Sequence, residues 1–183
     1  MLKANSLLRF FNNILAGFLP YPTYRYDLNA LNVAGAGTAV ELRNALDSDV
    51  VLLVQQVFYS KPQAQQTLKL IKQSSDSTGG TAVKANGVPL DSRWKPSIGQ
   101  IFPYTAAPTA GTVAGILWQG VVATTDVLYE EFGNERNSHP LVLYPGESFA
   151  INHSAASTAT YGYIEWCEVQ KGWFAQIRIA LGI

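Results

Sequence analysis

The sequence predicts an all-β sandwich or barrel behind an N-terminal arm that is first helical and then extended. Three observations predict it. From residue 38 onward, apolar residues recur at every second position in short runs, the period of half-buried strands. Gly, Pro and Asn turn signals separate those runs at short intervals, which gives about eight strands. Before residue 20 the apolar spacing is instead helical. No internal repeat is visible, which argues against a propeller or a solenoid.

In the arm, Leu7, Phe11, Ile14 and Phe18 fall on one stripe of a helix over residues 2–19, and Pro20 and Pro22 end it. Residues 20–32 read as an extended connector, so the expected division is an arm, 1–32, and a β-sandwich domain, 33–183. Lys3 and Arg9 precede apolar residues as in a signal peptide, but Asn12 and Asn13 interrupt the apolar core and no clean cleavage site follows. A helix this short is marginal alone in water. Its apolar side chains are therefore expected to dock, either on one end of their own core or on another subunit. The candidate interface residues are Leu7, Leu8, Phe10, Phe11, Ile14, Leu15, Phe18, Tyr21 and Tyr24. Burial of each large side chain is worth roughly 1.5–3 kcal/mol, against about 1–2 kcal/mol per residue of backbone ordering.

The strands follow in order. Val40 and Leu42 alternate with Glu41 and Arg43 in 38–44, and the apolar, β-branched start of 50–59 reads as a central strand. Residues 67–73 form a weaker strand, and the Ser/Gly-rich run 74–80 is a loop. Residues 82–84 lead to Asn86-Gly87, a hairpin-type turn pair. Residues 98–104 and 113–123 are strands around the Pro108 and Gly111 turn, 127–132 is a strand or a helical turn, and 131–139 is a polar loop. Residues 141–144 run into the Pro145-Gly146 turn, and Phe149 and Ile151 alternate with Ala150 and Asn152. After a small-residue loop, 154–160, the strand 161–169 sets Ile164 and Trp166 against Tyr161 and Tyr163. Beyond a Lys171-Gly172 turn, Trp173, Ala175, Ile177, Ile179 and Leu181 mark a last strand.

The 48% hydrophobic content supports a real core, while charged residues, at 14%, are too sparse to solubilise a large bare surface. Much of that surface is therefore expected to lie against neighbours. Thirteen Lys and Arg balance thirteen Asp and Glu, which argues against nucleic acid or an anionic membrane as main partner. No run is long enough to span a bilayer. Cys167 is the only cysteine, so neither an intrachain disulfide nor a cysteine zinc site is expected.

Catalytic constellations are sparse. The only histidines are His139 and His153, and Ser154 follows His153 on what reads as the opposite strand face. There is no Gly-x-Ser-x-Gly elbow, and Gly35, Gly37, Gly79 and Gly80 lack the lysine of a phosphate loop. Asp126, Glu130, Glu131 and Glu135 form an acidic cluster. It is a solvated face, with glycan cleavage by paired carboxylates or a loose Ca²⁺ as sharper readings. Asn152-His153-Ser154 matches a glycosylation sequon that is expected to be silent without a secretion signal. Trp94, Trp118, Tyr161, Tyr163 and Trp173 would make a sugar-stacking platform if they shared a face; the plainer reading is core and interface. The expectation is a non-enzyme with no catalytic residues, cofactor or metal.

Three stretches resemble small virion proteins of tailed bacteriophages: Val88-Pro-Leu-Asp-Ser92, Tyr104 to Thr112, and Pro140 to Asn152 leading into 161–168. The resemblance covers roughly residues 80–170 and lies in style and order rather than in a fixed motif. It implies a jelly-roll-like antiparallel sandwich acting as a capsid decoration, cement or fibre-base component. The resemblance further implies a homo-oligomer, often a trimer, made in the host cytoplasm and carried on the capsid exterior. The implied partner is the major capsid protein or another virion protein. The alternative is a fibre or receptor-binding jelly roll that recognises carbohydrate.

Overall fold

The structure is a computed structural model that describes residues 22–60, 66–122, 127–132 and 141–172. These form thirteen strands: β1 (Thr23–Val33), β2 (Gly37–Arg43), β3 (Val50–Ser60), β4 (Gln66–Gln73), β5 (Thr81–Ala82), β6 (Ala85–Asn86), β7 (Val88–Pro89), β8 (Gln100–Ala106), β9 (Val113–Val122), β10 (Val127–Glu131), β11 (Leu141–Leu143), β12 (Ser148–His153) and β13 (Ser157–Gln170). They build two antiparallel sheets, and the fold is an all-β sandwich.

The strand order is that of a jelly roll. The first sheet runs β10-β3-β13-β1-β7, with β11 also on β3; the second runs β5-β8-β2-β12-β4-β9, with β6 on β8. Strands β10 and β11 lie one after the other along β3, against residues 56–60 and 52–54, and so act as one interrupted strand. Setting aside the inserted segment from β5 to β8 leaves eight strands. In chain order the first sheet then reads first-eighth-third-sixth and the second reads second-seventh-fourth-fifth. That alternation between sheets is the double Greek key. The insertion lies on β2 through β8 and on β1 through β7.

Pairing explains which residues form the core. Tyr24, Leu28, Leu52, Val54, Val57, Tyr59, Ile164 and Trp166 from the first sheet meet Val40, Leu42, Leu68, Leu70, Phe149 and Ile151 from the second. The strand expected over 161–169 is the centre of the first sheet, flanked by β1 and β3. From Thr23, the residues read as the end of an extended arm are strand β1, bonded along β13. Its Tyr24 is buried and stacked on Trp166 at 6.1 Å. The other interface candidates, Leu7, Leu8, Phe10, Phe11, Ile14, Leu15, Phe18 and Tyr21, lie outside the described residues, as does the expected last strand 173–181.

Two local expectations are corrected. Asn86-Gly87 does not turn a hairpin: β6 joins β8 and β7 joins β1. Gly87 instead lets the chain cross the Trp166 indole, which a Cβ would meet at 2.4 Å. The loop between β12 and β13 is only residues 154–156, since β13 begins at Ser157. Of the two readings open for 127–132, the structure takes the strand, β10.

Buried polar groups are gathered into pinning networks. The Glu168 carboxylate, nearly buried, accepts hydrogen bonds from Ser97 Oγ (2.6 Å), Ile98 N (2.9 Å) and Gly99 N (2.8 Å), which fasten the inserted loop to β13. On the outward face of the second sheet, Glu41 accepts from Arg43, Tyr104 Oη and Ser77 N. This network fastens the 74–80 loop over the sheet. Satisfied in this way, buried carboxylates avoid most of their desolvation cost.

Candidate functional site

Two surfaces stand out, one on an edge and one on a face. The edge is β9, the last strand of the second sheet. Its ten residues, VAGILWQGVV, carry no charge. Trp118 turns inward and packs on the core, opposite Leu70. Val113, Ile116, Leu117 and Val121 are exposed, at 41 to 60%. The first sheet ends in β10 on the same side of the sandwich, and there Val127 is also exposed. Register shifts against β4 at Ala114 and Leu117 leave two bulges. Bulges twist an edge and interrupt further ladder pairing, so this side suits contact by side chains rather than strand addition.

The face is the outward side of the first sheet. Cross-strand register lays its side chains in rows. One row is Tyr129, Phe58, Tyr163 and Asp27; the next is Glu131, Gln56, Glu165, Arg25 and Val88. Tyr161 stands beside them, opposite Ser60. Phe58 and Tyr163 stack at 5.6 Å, and the Arg25 guanidinium lies 3.7 Å over the Tyr163 ring. Arg25 Nε donates to Asp27 at 2.8 Å, Tyr129 Oη donates to Glu131 at 2.5 Å, and Tyr163 Oη donates to Gln56 Oε1 at 3.4 Å. The bond to Glu131 pushes the Tyr129 phenol up to about 12. Burial raises the Glu165 carboxyl, and Arg25 opposes that rise.

The acidic cluster expected over 126–135 is divided. Glu130 and Glu131 are neighbours on β10 and point to opposite faces; Asp126 and Glu135 lie outside the described residues. Among the described residues, no group of three His, Cys, Asp or Glu is placed to hold a metal. His153 is buried and bonded to the Tyr59 hydroxyl, whereas Ser154 Oγ receives Thr67 N at the surface. These neighbours therefore do not form a nucleophile and base. Of the five expected platform aromatics, only Tyr161 and Tyr163 share the outward face; Trp118 belongs to the other sheet, Trp94 to the inserted loop, and Trp173 lies outside the described residues. Phe58 and Tyr129 stand on the same outward face, brought there by cross-strand register with Tyr163 rather than by any signal in the sequence. Among the described residues no helix is long and apolar enough to cross a membrane. No family model, curated protein or solved structure matches the chain.

Proposed function

We propose that this chain is a structural subunit of a tailed-phage particle, a decoration or cement protein that binds the outside of the major capsid shell and associates with copies of itself, as a trimer. The observation that carries the reading is the uncharged β9 edge, with Val113, Ile116, Leu117 and Val121 exposed. Contiguous exposed apolar side chains on a small domain mark an interaction surface. A neighbour covering them removes the apolar area from water at roughly 25 cal/mol per Å². Low charge density and the jelly-roll strand order support the same reading, as does the likeness of residues 80–170 to tailed-phage virion proteins. Capsid and lectin domains both use this architecture, so the edge, rather than the fold, carries the proposal. The reading assigns the chain no catalytic step.

The direct test is peptide mass spectrometry and immunogold labelling of purified virions. The proposal expects the chain in stoichiometric amount, with label on the outer shell. A chain absent from purified virions, or found only in the soluble lysate, overturns it.

A further inference from the structure

We propose that the outward side of the first sheet, at Val51, Cys167 and Val169, is the seat of residues 173–183 of the same chain, folded as a helix. The inference rests neither on the assembly reading nor on the N-terminal arm.

The sheet carries an apolar patch that is already covered. Along β13, Ile164 and Trp166 point into the core, so Cys167 and Val169 point outward. Along β3, Leu52 and Val54 point into the core, so Val51 and Leu53 point outward. Register sets Val51 beside Val169, and Leu53 between Cys167 and Val142. Although they face outward, Val51 is 0% exposed, Val169 2% and Cys167 3%. None of the three belongs to the cluster between the sheets. Among the described strands, none forms a third layer over them. At the other end of the same face, Tyr129 and Tyr161 are 48% and 46% exposed. A single copy of the chain therefore holds this end out of water, and the cover is its own.

The course of the chain points to what covers it. β13 ends at Gln170 opposite Val50, one pair beyond Val169 and Val51. Lys171 N then donates to Asp49 O at 2.9 Å, and Lys171 and Gly172 take helical backbone. The chain leaves the sheet at the border of the patch, already turning. Continued at the helical period, Trp173, Phe174, Ile177, Ala180 and Leu181 fall on one stripe, with Gln176, Arg178 and Ile179 off it. The alternation of Trp173, Ala175, Ile177, Ile179 and Leu181 suits a strand instead, but the backbone at 171–172 selects the helix. A helix over 173–183 is about 16 Å long. That is enough to cross β13, β3 and β11 at about 4.8 Å per strand.

Stripe and patch match in chemistry. Both are apolar, so their contact takes both surfaces out of water. Arg178 is the one charged side chain of the segment. The row bordering the patch carries Glu165 and Glu131 against Arg25, so segment and sheet attract. A helix this short is marginal alone, and the sheet supplies its support. Seated there, it closes the patch to other subunits.

Cys167, the only cysteine, reports on the cover, and the experiment is the rate at which Ellman's reagent labels it in the full chain. The wild type should label at least about a hundredfold more slowly than the urea-unfolded chain, at a rate independent of protein concentration. Phe174→Ser removes a ring from the stripe and should raise the rate at least about tenfold with unchanged circular dichroism. Ile179→Ser, off the stripe, should leave the rate unchanged, as should Phe11→Ser/Phe18→Ser in the arm. Wild-type labelling as fast as in urea overturns the proposal, as does unchanged labelling of Phe174→Ser. Faster labelling of Ile179→Ser would make the segment a strand and overturn the helix. Faster labelling of the arm variant would give the patch to the arm, and labelling that speeds up on dilution would give it to a second copy; either overturns the proposal. Loss of the β spectrum in Phe174→Ser would put the segment in the core and overturn it too.

Discussion

Glu168 gathers three donors from the inserted loop onto one carboxylate oxygen, and Trp166 Nε1 approaches the same oxygen at 3.4 Å. Glu168→Ala leaves the N–H groups of Ile98 and Gly99 and the Ser97 hydroxyl without their acceptor. Each buried group left unsatisfied costs roughly 1–3 kcal/mol. Urea unfolding at pH 7 should therefore show a loss of about 2–4 kcal/mol, with Glu168→Gln milder because the amide oxygen still accepts. Two neighbours contribute to the molecule's response to alkali. Burial pushes the Cys167 thiol up to about 12, with Glu168 and Glu165 adding to the rise, and burial followed by Glu168 pushes Tyr24 to about 12. Both groups hold their protons more tightly folded than unfolded. Their stabilising contribution is therefore complete below the unfolded values, about 8.5 for a thiol and about 10 for a phenol. It is lost as pH rises through the folded values. The urea midpoint should stay level from pH 7 to about 8.5 and fall between there and about pH 12. A midpoint that rises over that window would contradict the assignment. None of this was legible beforehand: Glu168 and Cys167 stood in a recognisable strand, but their burial depends on what the insertion and the neighbouring strands bring against them.

Strands are legible in the sequence where alternation is strong. The expected strands over 38–44, 50–59, 67–73, 113–123 and 161–169 correspond to β2, β3, β4, β9 and β13, with shifts of a few residues at their ends. β1 reads as a connector because Asp27, Asn29 and Asn32 dilute its alternation; its strand character comes from pairing with β13. Asn86-Gly87 matched a local turn rule, yet the large Trp166 indole decides what Gly87 is for. The same close-approach logic applies in β9. The Trp118 ring lies over Gly120, where an added Cβ would sit 2.6 Å from it. Gly120→Ala should displace the indole and cost about 1–3 kcal/mol, as overpacked cores do. Altered tryptophan emission should accompany the loss, read in the same denaturation series. Of the candidate surfaces, Tyr161 and Tyr163 were visible as one strand's face. Phe58, Tyr129 and Gln56 joined them only through cross-strand register, which a linear sequence does not contain.

At the scale of the molecule, the two sheets leave one side of the sandwich ending in β9 and β10 and the other bordered by the inserted segment. The low charge of the whole chain is concentrated into meaning there: ten consecutive uncharged residues form an edge with four large apolar side chains in water. The N-terminal residues 1–21, with Leu7, Phe11, Ile14 and Phe18 on one helical stripe, remain an expectation of the sequence. Their removal should abolish co-sedimentation with particles while preserving the far-ultraviolet spectrum of the sandwich. Unchanged co-sedimentation would mean that the arm is not the tether. The assembly claim itself is tested most directly by light-scattering mass in solution, comparing the wild type with Ile116→Lys/Leu117→Lys. The account predicts a defined wild-type oligomer at a multiple of 19.9 kDa, a trimer on the proposed reading, and a folded monomer for the charged edge. A wild type that stays monomeric at high concentration, or a variant with the same oligomeric mass, would contradict it.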